Sequence, residues 1–152
     1  MENLKNETNL IRVFTLFIMK NFRIFKNKTE ENVSNQKVSA SVEWPDYVME
    51  LKDSNFNEFI GKYPLSLVDF WAPWCAPCKA MAPRLRRLSK IYKGKVAFGK
   101  INTQQYQDIA KKYKISSIPH LIVFRFGNRI SNIYGLKSVG DIKNAIEDIL
   151  KK

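Results

Sequence analysis

A chain of 152 residues, 45% hydrophobic and 12% aromatic, is long enough to bury one sizeable core and too apolar to stay unfolded. Its two cysteines argue against a disulfide scaffold, and with the single His120 they fall short of the four ligands of a structural zinc site. The net charge of +12 lies mainly in the later part: residues 1–43 carry 7 basic and 5 acidic side chains, leaving +10 to the rest.

Residues 1–43 read as an extension. "LIRVFTLFIMKNFRIFK" sets Leu10, Val13, Phe14, Phe17, Ile18 and Phe25 on one side of a helix and Arg12, Thr15, Arg23 and Lys26 on the other, so the pattern predicts an amphipathic basic helix over about 10–26. Its apolar run is much shorter than the roughly 20 residues of a membrane span. A secretory signal is poorly matched, because Glu2 and Glu7 offset Lys5 and Arg12 and no small-residue cleavage site follows. Lys20, Arg23, Lys26 and Lys28 follow instead, which favours a cytoplasmic location. Three fates fit the helix: contact with this domain or a second copy, peripheral membrane contact, or a leader or misplaced start. The polar stretch "NKTEENVSNQKVSAS" after it reads as a linker.

From Trp44 onward strand-like and helix-like patterns alternate. Phe56, Phe59, Ile60 and Tyr63 recur at helical spacing, and the apolar run "LSLVDFW" is of strand type. A helix is predicted from near Cys75, with the stripe Met81, Leu85, Leu88 and Tyr92, ended by Gly94. "VAFGKIN" is the next strand, Tyr106, Ile109, Ala110 and Tyr113 mark a helix, and "HLIVFRF" and "RISNIYG" form a hairpin joined by Gly127 and Asn128. Val139, Ile142, Ile146 and Ile149 make the closing helix. This order implies a central mixed sheet flanked by helices on both faces. The basic stretch with Lys79, Arg84, Arg86, Arg87, Lys90 and Lys93 reads as a solvated helix face. No zinc-finger spacing, RNA-binding signature or phosphate loop accompanies it, so no specific nucleic acid is expected as a partner.

Chemistry concentrates in "WAPWCAPCKAMAP", where Ala76 and Pro77 separate Cys75 from Cys78. As a staple, so short a bridge would stabilise by only about 2 kcal/mol through chain entropy, which leaves reactivity as the better reason for the pair. Residues 44–152 resemble thioredoxins. The resemblance rests on "VDFWAPWCAPCK", on Pro83 inside the helix that follows, on "SIPH" at Ile118 and Pro119, and on the closing "GNRI…G". It implies a thioredoxin fold (α/β) over 44–152, with the helical extension outside it. It also implies an enzyme that reduces protein disulfides and carries electrons through Cys75 and Cys78, with no bound cofactor and no metal.

A helix opening at Cys75 would lower the pKa of its thiol through unpaired backbone N–H groups and the helix dipole, making Cys75 the nucleophile. Cys78, one turn deeper, is the resolving sulfur. Pro77 costs no hydrogen bond in a first turn, whereas Pro83 is expected to kink the helix. By resemblance, Asp69 is a buried acceptor for the proton of Cys78, and Lys100 is its partner. Trp74, Ala76, Pro77, Ile118 and a cis Pro119 contact substrate. The expected partners are disulfide-containing proteins and an electron donor of the thioredoxin-reductase type. Ala76 stands where glycine is commonest in the family, and His120 where threonine is usual. His120 reads as a packed strand residue, with a second reading in which it faces the disulfide and favours the Cys75 thiolate. Two other functions are weighed: a membrane-tethered relative serving exported or haem-binding proteins, and a basic binding module or chaperone. "VAFGKINTQQYQDIA" leaves no room for the extra helical segment usual in the tethered relatives.

Overall fold

The computed structural model describes residues 42–152. The predicted helix over 10–26 and the linker over 27–41 therefore lie outside the described residues. Five strands and four helices alternate: β1 (Val48–Leu51), α1 (Asp53–Lys62), β2 (Leu65–Trp71), α2 (Ala76–Ile91), β3 (Ala97–Asn102), α3 (Gln107–Lys112), β4 (His120–Arg125), β5 (Asn128–Tyr134) and α4 (Val139–Leu150). The strands form one sheet in the order β1-β3-β2-β4-β5. β1 and β2 run parallel to β3, while β4 lies antiparallel to both β2 and β5. The sheet is mixed because α1 and α2 return the chain for parallel pairing, whereas the tight β4–β5 turn permits only antiparallel pairing.

Alternation along β2 divides the core. Val68 and Phe70 join Phe56, Phe59 and Ile60 of α1 and Ile109 of α3 on one face. Leu65 and Leu67 join Met81, Leu85 and Leu88 of α2 and Ile142 and Ile146 of α4 on the other. Both faces are covered, as the continuous apolar run of β2 requires. At Gly99 a Cβ would stand only 2.6 Å from Leu51 Cδ1, so glycine is what lets β3 lie beside that side chain.

α2 runs through Pro83, which supplies no N–H to the carbonyl of Lys79. The hairpin turn is centred on Phe126 and Gly127, not on Gly127 and Asn128, and Asn128 already belongs to β5. Both central residues have positive φ, 46° and 81°, as a primed turn matching the twist of the strands demands. Phe126 is a poor residue for that conformation, and its ring is 64% exposed and gains little there. Phe126→Asn is therefore expected to raise stability by about 1 kcal/mol, seen as a higher urea midpoint at unchanged slope.

Candidate active site

α2 begins where β2 releases the chain into the exposed loop around Pro73 and Trp74. Cys75 is its N-cap, with Pro77 in the first turn. The Sγ of Cys75 accepts a hydrogen bond from the backbone N–H of Cys78 at 3.2 Å. That sulfur thus occupies the position of a capping oxygen, on an N–H no helical carbonyl can reach. The two cysteines are joined as a disulfide with their Cα atoms 5.3 Å apart, and they pack with Ala72, Trp71 and Ile118. Both are nearly buried, at 3% and 2% exposure, so exposure does not separate nucleophile from resolving sulfur in the oxidised form. The cap does.

Trp74 is 71% exposed, and Ala76 and Pro77 are exposed beside it. The Ile118–Pro119 peptide is cis, and the carbonyl of Pro119 accepts a hydrogen bond from Gly135 N–H. From Trp74 and Ile118 a groove of about 590 Å³ extends to α3 and the turn after it, lined there by Gln107, Lys111 and Lys114. Nothing in the sequence pattern alone places those three residues beside the cysteines; the chain returning from β3 does.

Asp69 lies on the α2 face of β2, because it follows Leu65 and Leu67 at period two. It is 3% exposed, and its Oδ1 has no hydrogen-bond partner among the described residues. Burial raises its pKa to about 7, against a smaller lowering by the Lys100 cation. Asp69 shares a cavity of about 350 Å³ with Ala82 and Leu85. Cys78 is four residues before Ala82, one helical turn along α2 from the wall of that cavity.

Lys100 stands opposite Asp69 in register and its cation acts on that carboxyl, while its ion pair is with Glu50 of β1, at 2.7 Å. Its ammonium also lies 4.7 Å from the centre of the Trp71 ring. Sequence reading did not single out Glu50, since only the β1–β3 pairing brings it to Lys100.

His120 sits on the other face of the sheet. It is buried beside Phe70 and against the Tyr134 ring, whose centre is 4.4 Å away, with Nε2 3.1 Å from Asn132 Oδ1. Burial lowers its pKa, so it is a neutral packing residue at pH 7. The basic side of α2 is largely solvated, with Arg86, Arg87 and Lys90 exposed, while Lys93 pairs with Asp46.

The family model described as Thioredoxin matches residues 47–148. The chain belongs to the thioredoxin family. A chloroplastic M-type thioredoxin of Spinacia oleracea is 41% identical over 105 residues, covering 68% of this chain and 58% of its own length. A thioredoxin of Synechocystis is 37% identical over 103 residues, covering 66% of this chain and 95% of its own length. Among solved structures, a thioredoxin of Plasmodium falciparum superposes with a TM-score of 0.62 at 30% identity, covering 66% of this chain and 98% of that one. The fold expected from sequence is thus the fold found, and the chemistry is that of a thiol–disulfide oxidoreductase. Thioredoxins act through their own cysteine pair without a cofactor, and Cys75 and Cys78 form that pair here.

Proposed function

We propose that this thioredoxin reduces disulfides of cytoplasmic proteins and is itself reduced by an enzyme of the thioredoxin-reductase type. The observation that carries the reading is the capping geometry at Cys75, where Sγ faces the N–H of Cys78 at the start of a 16-residue helix. Such a site stabilises a thiolate and so lowers the thiol pKa.

The Cys75 thiolate attacks one sulfur of the substrate disulfide, forming a mixed disulfide and expelling the other sulfur as thiolate. Asp69 takes the proton of Cys78. The Cys78 thiolate then attacks Cys75, re-forming the intramolecular bond and releasing the second substrate thiolate. Two electrons pass to the substrate, and the pair ends as the disulfide. Substrate rests on the exposed Trp74, Ala76 and Pro77, with Ile118 and the cis Pro119 offering backbone groups to an extended segment.

The proposed compartment is the cytoplasm, supported by the basic residues Lys20, Arg23, Lys26 and Lys28 after the apolar stretch. The proposed division assigns this chemistry to residues 44–152 and leaves 1–43 as an extension.

The reducing direction is tested by equilibrating the full chain with glutathione and reading the fraction oxidised. A reductant has a potential at or below the cytosolic glutathione poise of about −220 to −260 mV. A value near about −120 mV, that of a strong oxidant, would overturn the reading.

A further inference from the structure

Three charged residues stand side by side across three adjacent strands on the face that α2 covers. Glu50 of β1 is opposite Lys100 of β3, and Lys100 is opposite Asp69 of β2. Cross-strand partners share a face, so Lys100 lies between two carboxyl groups. It pairs with the outer one: Nζ is 2.7 Å from Glu50 Oε2, while the inner carboxyl keeps an oxygen without a hydrogen-bond partner among the described residues. All three line the cavity of about 350 Å³, whose rim includes Tyr47 and Arg86.

We propose that Glu50 is a positioning residue for disulfide exchange, holding Lys100 at the cavity mouth so that the Asp69 carboxyl remains free to pass a proton between Cys78 and solvent. The inference rests on the reading of Asp69 as the proton acceptor and adds what keeps it fit for that task. A cation within about 4–6 Å of a carboxylate favours its charged form. Were Lys100 to turn inward, Asp69 would become half of a buried ion pair, a weaker base with its lone pairs engaged. Glu50 is half-exposed, and such a pair adds little to stability by itself. Its effect lies in where it keeps the ammonium. The charged and titratable groups that share the cavity with Asp69 are Lys100 from β3, Glu50 from β1, Arg86 from α2 and the Tyr47 phenol before β1, while β4 presents the apolar Leu121 in register. Lys100 is therefore the cation in register with Asp69, and Glu50 competes for it.

The test is a carbon-13 NMR titration of the Asp69 carboxyl in the full chain, beside the pH profile of the second exchange step. In Glu50→Gln, Lys100 loses its outer partner and the Asp69 midpoint is expected to fall by about one unit, with the exchange profile following it. Loss of the Glu50 charge also acts directly on Asp69 and in the same direction. Repeating the substitution in Lys100→Met removes the indirect route, and the shift is expected to shrink to less than half. An unmoved midpoint in Glu50→Gln, or the same shift with and without Lys100, would overturn the proposal. A shifted midpoint with an unmoved exchange profile would instead overturn the role given to Asp69, and with it the link to exchange.

Discussion

Replacing Cys75 with serine is expected to reduce protein-disulfide reduction to the uncatalysed rate, while Cys78→Ser forms a mixed disulfide that persists. The two sulfurs are buried alike in the oxidised protein, so the asymmetry comes from the helix. Cys75 caps α2, and reduction leaves its sulfur facing the N–H groups of the first turn, among exposed Trp74, Ala76 and Pro77. Cys78 is already inside that turn, buried with Ala72, Trp71 and Ile118, and its sulfur is bonded to that of Cys75. Without Cys78 the first attack still occurs but nothing releases the substrate. Mass spectrometry of adducts formed with a disulfide-bonded protein checks this. Equal adduct yields on Cys78 in Cys75→Ser and on Cys75 in Cys78→Ser would reverse the assignment.

Elements whose sequences carry one strong period were readable before the structure. The stripes Phe56, Phe59, Ile60 and Met81, Leu85, Leu88 sit on the sheet as their spacing requires. β1 was not, because "VMEL" is too short and too unevenly buried to show alternation, and its place beside β3 emerges only in the pairing of the sheet. The hairpin turn lies one residue earlier than the sequence pattern suggests, because Asn128 follows Gly127 with the look of a turn residue. In the fold it is Phe126 that takes the positive φ.

The site divides along the same line. Cys75, Trp74, Ala76, Pro77 and Cys78 are consecutive, so one motif reveals them together. Asp69 and Ile118–Pro119 come from β2 and from the chain just before β4, strands that are hydrogen-bonded neighbours in the sheet. Resemblance supplied these positions, and the apolar surroundings of Asp69 gave a reason for its burial. Resemblance also paired Lys100 with Asp69, but it could not see that Glu50 would compete. That competition depends on the register Glu50↔Lys100↔Asp69, a property of three strands that are far apart in the sequence.

Asp69→Asn is expected to stabilise the protein and slow it, and the stabilisation should depend on pH in a definite way. The Asp69 carboxyl titrates at about 7 in the folded chain, against 3.8 for an ordinary aspartate. Between those values the unfolded chain releases a proton that the folded chain keeps, so stability falls as pH rises from about 4 to about 7. Above pH 7 the full cost of a buried, poorly solvated carboxylate is present. Asparagine has nearly the same volume and no charge, so it removes this dependence. Unfolding in urea should show Asp69→Asn more stable by on the order of 3 kcal/mol at pH 8 and little changed at pH 4. Asparagine cannot take the proton of Cys78, and turnover should fall at least about tenfold, with mixed disulfides accumulating because the second attack is the slowed step. Urea midpoints at both pH values and turnover on the same samples check both halves. An equal gain in stability at pH 4 and pH 8 would mean that the charge of Asp69 is not its source, and unchanged turnover would place the acceptor of the Cys78 proton elsewhere, with solvent in the cavity beside Lys100 the next candidate.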